Sequence, residues 1–390
     1  GEMTSRTANT FTPPVMEAYG WLAGQDFSNL PLINVSQAAP VNPPPAPMVA
    51  HMAAVIQDDD THLYGPVLGL PALRAEVAGQ WSTAYGGAIA PAQVGITSGC
   101  NQAFCASIAM LCGEGDEVLL PTPFYFNHKM WLDMAGVAAV ALPCNGDMIP
   151  DPEDAVARIT PRTRAIVLVT PNNPCGVEYP ADVIIAFYEI AKSHGLALII
   201  DETYRDFHSQ SGAPHALFQQ TNWDQTLVQL YSFSKAYRLT GHRVGAVVAS
   251  VARMAEIEKF LDTVSICANQ LGQKAALWGM LNLGDWLAGE RLEILARRQA
   301  IVDNFTQLKA KGWSLLGVGA YFAYLEHPFD MASNDVAQKL VEQVCVLALP
   351  GTMFVPETDE SGKRQIRIAF ANIDADGIVV LFDRLAHVKL

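Results

Sequence analysis

Seven short apolar runs between Val94 and Ser250 constrain the fold more than any other feature of the sequence. They read VGIT, EVLLP, AAVALP, AIVLVT, LALIID, LVQLYS and GAVVAS. Because apolar residues follow one another in these runs, the pattern is typical of strands that are covered on both faces. Several runs are separated by segments with helical spacing, such as NQAFCASIAML. The sequence therefore predicts an α/β fold whose mostly parallel sheet is sandwiched by helices.

The segments that flank these runs predict a second, smaller α+β domain. The proline-rich stretch VNPPPAP at 41–47 interrupts helix and strand patterns and predicts a crossing between domains. Residues 254–281 predict one long helix that leaves the sheet, and helical spacing recurs around 290–310. The runs GAYFAYL, VCVLALP and QIRIAFA then predict strands of the smaller domain. The predicted limits are 48–285 for the large domain, and 1–47 with 286–390 for the small domain.

Composition narrows the classes of partner. The formal net charge of −14 opposes binding to nucleic acid and to anionic membrane surfaces, so a small-molecule ligand is expected. The seven cysteines contain no CxxC pair, so we expect no disulfide framework and no metal site. No apolar stretch is long enough to span a bilayer and GEMTSR has no signal-peptide pattern, so we expect a cytoplasmic protein.

The first candidate for binding chemistry follows the run VGIT. Ser98 and Gly99 form a predicted turn that leads directly into a helix. A helix begins with free backbone N–H groups and the positive end of its dipole, and both favour an anion. The alternative is an ordinary strand-to-helix turn with a serine cap.

Further polar side chains follow the other strand ends, where ligands gather in open α/β sheets. Tyr125 could cover a planar ligand, and the Asn173 amide could donate to a ligand oxygen. Asp201 ends a strand that should be buried, Tyr204 follows it, and Lys235 follows LVQLYS. Each of these residues alone also fits core packing, a turn, a cap or an exposed surface.

The combination of these groups matches one ligand, pyridoxal phosphate. Its phosphate suits a helix N-terminus with an arginine, and its ring suits an aromatic cover. Its pyridine nitrogen stays protonated beside a carboxylate, and its aldehyde condenses with a lysine. The sequence therefore predicts pyridoxal 5′-phosphate as the cofactor.

With these motifs the chain resembles the fold-type I pyridoxal-phosphate enzymes of the class I/II aminotransferase family, which are aspartate aminotransferase-like. The resemblance runs from INVSQAAP to QIRIAFAN. The lysine of the family's S-x-S-K motif, which carries the internal aldimine, corresponds to Lys235 in SFSK. The arginine of G-x-R-x-G, which binds the phosphate, corresponds to Arg243 in TGHRVG.

The resemblance implies roles for the remaining candidates. Ser232 and Ser234 match hydroxyls that help to hold the phosphate, and Tyr125 matches the aromatic that stacks on the ring. Asp201 matches the partner of the pyridine nitrogen, with His128 as its support. The other implied cofactor ligands are Gly99, Cys100 and Asn101 at the phosphate and Asn173 and Tyr204 at the ring hydroxyl.

Two further residues imply how substrate and subunits meet. Tyr64 in HLYGP resembles the tyrosine that reaches the phosphate of the neighbouring subunit, which implies a homodimer with shared active sites. Arg367 in QIRIAF resembles the arginine that binds the substrate α-carboxylate through a bidentate pair. Asn173 and Ala38 are expected beside the substrate.

The chain departs from the family pattern at two positions. Ala38 stands where a glycine often approaches the substrate, and its methyl group could narrow the pocket or change how this segment closes. Cys175 in NNPCG stands where threonine is frequent, but the backbone sets that turn. Neither departure touches the residues predicted to hold the cofactor.

The expected activity is transfer of an amino group from an L-amino acid to a 2-oxo acid by a ping-pong mechanism, with Lys235, Asp201 and Tyr204 as catalytic residues. Carbon–sulfur β-elimination on the same fold is the alternative, because fold does not determine reaction. A non-catalytic regulator fits less well, since the N-terminal segment is too short for a DNA-binding module. The sequence does not assign the donor or the acceptor.

Overall fold

The structure is a computed structural model that describes residues 4–390, so residues 1–3 of the predicted small domain lie outside it. Its strands in chain order are β1 Ile33–Asn34, β2 Val94–Thr97, β3 Glu117–Thr122, β4 Ala138–Pro143, β5 Thr163–Val169, β6 Ala197–Asp201, β7 Leu227–Ser232, β8 Gly245–Val248, β9 Ser314–Gly319, β10 Phe322–Glu326, β11 Val346–Leu347, β12 Leu349–Pro350 and β13 Gln365–Ala369. Its α-helices are α1 Pro14–Gly20, α2 Ala46–Val55, α3 Pro71–Tyr85, α4 Cys100–Leu111, α5 Phe126–Ala135, α6 Pro152–Arg158, α7 Ala181–Ser193, α8 Phe233–Ala236, α9 Val251–Ser265, α10 Gln270–Asn282, α11 Gly284–Asn304, α12 Thr306–Lys309, α13 Ser333–Val344 and α14 Ala375–Ala386.

The central sheet has seven strands in the order β2-β8-β7-β6-β5-β3-β4. All neighbouring pairs are parallel except those of β8, which is antiparallel to both β2 and β7. Each of the seven apolar runs supplies one of these strands. The predicted mostly parallel sheet is therefore confirmed.

Alternate residues of the central strands face two separate cores. In β6, Leu198 and Ile200 belong to a core that also contains residues of α3, α7 and α10. Ala197 and Ile199 belong to a second core on the other face, with residues of α4, α5 and α9. Both faces of the strand exclude water, which explains why its sequence does not alternate between apolar and polar residues.

The strand directions bring several chain segments to one edge of this sheet. Strand β2 ends in the turn before α4, β6 ends at Asp201, and β7 leads into α8, which contains Lys235. Because β8 runs in the opposite direction, the residues just before it, including Arg243, lie at the same edge. Groups far apart in the sequence therefore share the carboxyl edge of the parallel strands.

A second sheet forms the smaller α+β part of the molecule. Its strands are antiparallel in the order β12-β13-β10-β9, and β1 pairs in parallel with β11. A third core contains residues of these strands together with residues of α11, α13 and α14. The predicted additional α+β unit is confirmed, whereas its residue limits stay a prediction.

The predicted single helix over 254–281 is wrong. The structure has two helices there, because the backbone leaves the helical region at Ile266, whose φ is +66°. The Asn269 side chain then caps α10 by accepting a hydrogen bond from the Gly272 N–H. The sequence VSICANQ contains no glycine or proline to signal this break. Among residues 4–390, no helix is both long enough and apolar enough to cross a membrane.

Candidate active site

A cavity of about 380 Å³ lies at the carboxyl edge of the central sheet. Its walls are formed by residues at the strand ends of the central sheet, by the N-terminal segment and by Arg367 of β13. The predicted site residues that line it are Ala38, Cys100, Asn101, Tyr125, Asn173, Asp201, Tyr204, Ser232, Ser234, Lys235, Arg243 and Arg367.

The turn before α4 and Arg243 form a cationic cradle. Gly99 has a φ of +92°, and a Cβ at this position would collide with the Arg243 guanidinium. A Cβ at Gly245 would come within 2.6 Å of the Gly99 backbone. Arg243 Nη1 donates to the Thr240 carbonyl at 3.0 Å and lies 3.5 Å from Ser234 Oγ. The first N–H groups of α4 and a guanidinium therefore meet at one point, where an anion is favoured.

Asp201 is buried and accepts hydrogen bonds on both carboxylate oxygens. His128 Nε2 lies 3.3 Å from Oδ2, and Thr203 donates to Oδ1 through its N–H at 3.0 Å and its hydroxyl at 2.7 Å. Burial alone would raise the pKa of Asp201, but these bonds from His128 and Thr203 outweigh it and lower the pKa. The His128 ring stacks on Phe104 with its centroid 3.9 Å away. The carboxylate thus stays charged although it is buried.

Lys235 lies in the short helix α8, directly after β7. Ser232 begins this helix and its hydroxyl accepts the Ser234 N–H at 3.2 Å. Burial, followed by the charges of Arg243 and Arg367, lowers the pKa of Lys235 to about 8. At neutral pH a much larger fraction of this amine is therefore unprotonated than in an exposed lysine.

Arg367 projects from β13 into the opposite wall and is almost fully buried. Its guanidinium donates to Asn173 Oδ1 at 2.9 Å and to the Ser36 carbonyl, while Nε has no partner among residues 4–390. The rings of Phe322 and Phe354 lie 4.8 and 5.2 Å from its central carbon. Burial lowers its pKa to about 10, so it is a cation at neutral pH.

Two tyrosines line the cavity in their neutral forms. Burial raises the pKa of both Tyr125 and Tyr204. The Tyr125 hydroxyl donates to Asn127 at 2.8 Å and lies 3.2 Å from Asn101 Oδ1. Tyr204 packs edge-on against Phe322, with ring centroids 5.3 Å apart. Both hydroxyls can therefore donate hydrogen bonds at any pH near neutrality.

Besides Ser98 of the turn before α4, three predicted residues lie outside the cavity lining. The Gly99 backbone lies close to the Arg243 guanidinium, and His128 contacts the Asp201 carboxylate without lining the cavity. The Tyr64 side chain is 77% exposed and does not line the cavity. Within the described chain, Tyr64 is thus not brought together with the other candidates.

Several lining residues were not predicted from the sequence. Thr203 follows Asp201 by two positions, a spacing at which the backbone N–H often donates to an aspartate side chain, and this signal could have identified it. Val15 and Gln37 reach the cavity from the N-terminal segment, and Thr240 and Asn127 from loops or helix starts. Their positions depend on long-range packing, which no local pattern reveals.

Comparison with known proteins agrees with this fold. The sequence matches the family described as Aminotransferase class I and II over residues 26–385. It is 27% identical to an aromatic aminotransferase of Arabidopsis thaliana, covering 90% of this chain and 88% of that protein. It is 26% identical to a valine–pyruvate aminotransferase of Mycobacterium tuberculosis, covering 96% of both.

A solved structure shares the fold across the whole chain. A double mutant of Thermus thermophilus aspartate aminotransferase superposes with a TM-score of 0.88, covering 100% of both chains at 22% identity. The family match covers far more than half of the sequence. This chain is therefore an aminotransferase and belongs to the class I and II family.

Proposed function

We propose that this aminotransferase uses pyridoxal 5′-phosphate to move the amino group of an L-amino acid to a 2-oxo acid by a ping-pong mechanism. The observation that carries the proposal is one cavity that holds an anion cradle, a buried carboxylate and a lysine whose pKa is lowered to about 8. These are the three groups that a phosphate, a pyridine nitrogen and an aldehyde require.

The residues fit this cofactor. The cradle of Gly99 and Arg243 suits the phosphate, since a Cβ at residue 99 would fill the approach. Asp201 suits the pyridine nitrogen, and the face of Tyr125 suits the ring. Asn173 offers its amide N–H₂, because its Oδ1 is already bonded to an arginine. When bound, the cofactor supplies an aldehyde that exchanges between amines and a ring that accepts an electron pair.

Lys235 is placed to move a proton of the substrate. Its lowered pKa leaves the Nζ atom able to accept the proton from the substrate Cα and to return it later. The charges of Arg243 and Arg367 oppose protonation of this amine, so an approaching anionic substrate also alters its proton affinity. The amine is thus suited to act as the base of the reaction.

Arg367 orients the substrate. A guanidinium has five N–H donors, and its Nε is buried without a partner among residues 4–390. An α-carboxylate can take up this donor together with a free N–H of Nη2, while Asn173 and Ser36 hold the guanidinium plane. A carboxylate fixed in this way limits the directions in which the Cα–H bond can point.

We further propose a homodimer in which Tyr64 of the partner subunit completes each site. The side chain is 77% exposed, which leaves its ring free to contact a partner subunit, and tyrosine is enriched at the cores of protein interfaces. Mixing inactive Lys235→Ala and Tyr64→Ala proteins should restore activity, since one site of each mixed dimer contains both wild-type residues. Activity that does not return on mixing would exclude a shared site.

The activity is tested with a panel of amino donors against 2-oxoglutarate and pyruvate. The relatives include enzymes named for aromatic amino acids and for valine with pyruvate, so the panel contains phenylalanine, valine, alanine and aspartate. Oxo-acid formation that depends on both partners, with parallel lines in double-reciprocal plots, is expected. Continued release of pyruvate and ammonia from a cysteine conjugate without any acceptor would instead show carbon–sulfur lysis.

A further inference from the structure

A buried polar network surrounds Glu202, the residue that follows Asp201, on the side of the chain away from the cavity. We propose that Glu202 is a positioning residue, whose carboxylate fixes the backbone of residues 201–206 so that Asp201 and Tyr204 keep their places in the cavity wall. The inference rests on the proposed function, because it assigns Glu202 to the same reaction.

The Glu202 carboxylate is held by three side chains that are almost completely buried. Its Oε1 accepts from His215 Nε2 at 2.9 Å and lies 3.3 Å from Gln229 Nε2. Its Oε2 accepts from the Tyr85 hydroxyl at 3.0 Å. These partners come from α3, from β7 and from the loop between β6 and β7, so Glu202 joins three separate segments.

Neighbouring groups determine which atoms carry the protons. The Leu217 N–H can only donate, and it points to His215 Nδ1 at 3.2 Å, so the hydrogen of the neutral ring lies on Nε2 and is donated to Glu202. Arg205 Nε donates to the Tyr85 oxygen at 3.0 Å, which leaves the tyrosine hydrogen for Glu202. Glu202 is therefore the acceptor in every one of these bonds and is present as a carboxylate.

The residues of this short segment divide between two sides. Asp201 and Tyr204 line the cavity, whereas Glu202 and Arg205 point into the network behind it. The Arg205 guanidinium lies 4.0 Å from the centroid of the Trp81 ring. Because cavity residues and network residues follow one another directly, the bonds that hold Glu202 and Arg205 also restrict the backbone that carries Asp201.

Stability alone does not account for a carboxylate in this place. Burying a charged group costs several kcal/mol before compensation, and apolar residues of similar volume often stabilise a core as well or better. A fully satisfied polar network does restrict a segment to one geometry. A displacement of about 1 Å in a reacting site can reduce the rate by about 100-fold. Precise placement of Asp201 is therefore the benefit that we assign to Glu202.

The test compares three variants with a matched control. Glu202→Gln keeps the size of the side chain but places an amide among three donors, and Tyr85→Phe removes a single donor. The control is Thr163→Val, which removes the buried hydroxyl that accepts the Thr160 N–H at 2.8 Å, at the opposite edge of the same sheet. His215→Gln, which can still donate, is the conservative replacement.

Four quantities are measured on each holoenzyme: kcat, KM, the pH midpoint of the bound cofactor's absorbance, and the melting temperature. We expect Glu202→Gln to lower kcat by about tenfold or more and to shift the absorbance midpoint, with KM changed by less than about threefold. Tyr85→Phe should show the same changes to a smaller extent, and His215→Gln should resemble the wild type. Thr163→Val should change only the melting temperature.

Unchanged kcat and absorbance midpoint in Tyr85→Phe and Glu202→Gln, with only the melting temperature lowered, would overturn the positioning role and leave the proposed function intact. A Glu202→Gln chain that does not fold leaves Tyr85→Phe to decide between these results. Wild-type protein that takes up no pyridoxal phosphate would instead refute the proposed function, and the role of Glu202 with it.

Discussion

His128 Nε2 lies 3.3 Å from Asp201 Oδ2, and this buried contact joins α5 to the end of β6. A carboxylate accepts, so the hydrogen of His128 lies on Nε2, and this bond helps to keep the pKa of Asp201 low despite complete burial. A charged carboxylate is thus held ready for a cationic partner. In the proposed mechanism, this contact keeps Asp201 charged so that it can stabilise a protonated pyridine nitrogen.

Replacement of Asp201 tests that electrostatic role. We expect Asp201→Asn to lower kcat by about 100-fold or more, because the amide cannot stabilise a protonated pyridine nitrogen. Cofactor affinity should fall much less, since the phosphate cradle is unchanged. Steady-state kinetics and absorbance titration measure both. Asp182→Asn, at an exposed position of α7, should behave as wild type, and an Asp201→Asn enzyme with nearly normal kcat would contradict the role.

Arg367→Lys tests recognition of the α-carboxylate. The charge is kept, but the fork of N–H donors and the contact with the Phe322 ring are lost. We expect kcat/KM for every donor to fall by about 100-fold, which corresponds to about 2.7 kcal/mol. The neighbouring Arg364→Lys is the control, because Arg364 is exposed and bonds only to backbone carbonyls. Equal losses in the two variants would count against a specific role.

Gly99→Ala tests the phosphate cradle. The added methyl group would meet the Arg243 guanidinium, and the φ of +92° is strained for alanine. We expect the affinity for pyridoxal phosphate to fall towards that for pyridoxal, as measured by equilibrium dialysis with both compounds. Gly289→Ala, a helical position with open space around it, should bind normally and gain about 0.5–1 kcal/mol in stability. If the cradle does not bind the phosphate, Gly99→Ala should leave the ratio of the affinities for pyridoxal phosphate and pyridoxal unchanged.

Lys235 should lower the stability of the cofactor-free protein at neutral pH. Its pKa falls from 10.5 in the unfolded chain to about 8 in the folded one, so below pH 8 folding buries a charge at a cost. Lys235→Met should therefore raise the free energy of unfolding at pH 7, by of the order of 1–3 kcal/mol. The difference should decrease between pH 8 and pH 10.5, where the folded protein holds fewer protons. Urea unfolding at several pH values measures it, and a constant difference would contradict the shift.

Much of the sheet was predictable from the sequence, because apolar runs such as LALIID reflect burial on both faces directly. The positions of Asp201 and Lys235 at strand ends followed from the same reasoning. The break at Ile266 was missed because it depends on a capping side chain and not on glycine or proline. Val15 and the Tyr85–Glu202 bond were missed because packing of distant segments creates them. Local patterns thus predict elements, whereas the details of the site need the tertiary structure.

The most direct measurement is borohydride reduction of the purified protein after incubation with pyridoxal phosphate, followed by peptide mass spectrometry. We expect a yellow protein and one cofactor mass fixed to the peptide that contains Lys235. Lys235→Ala should carry none, while Lys192→Ala, at the exposed end of α7, should be labelled as wild type. A colourless protein, or a label on another lysine, would contradict the central claim.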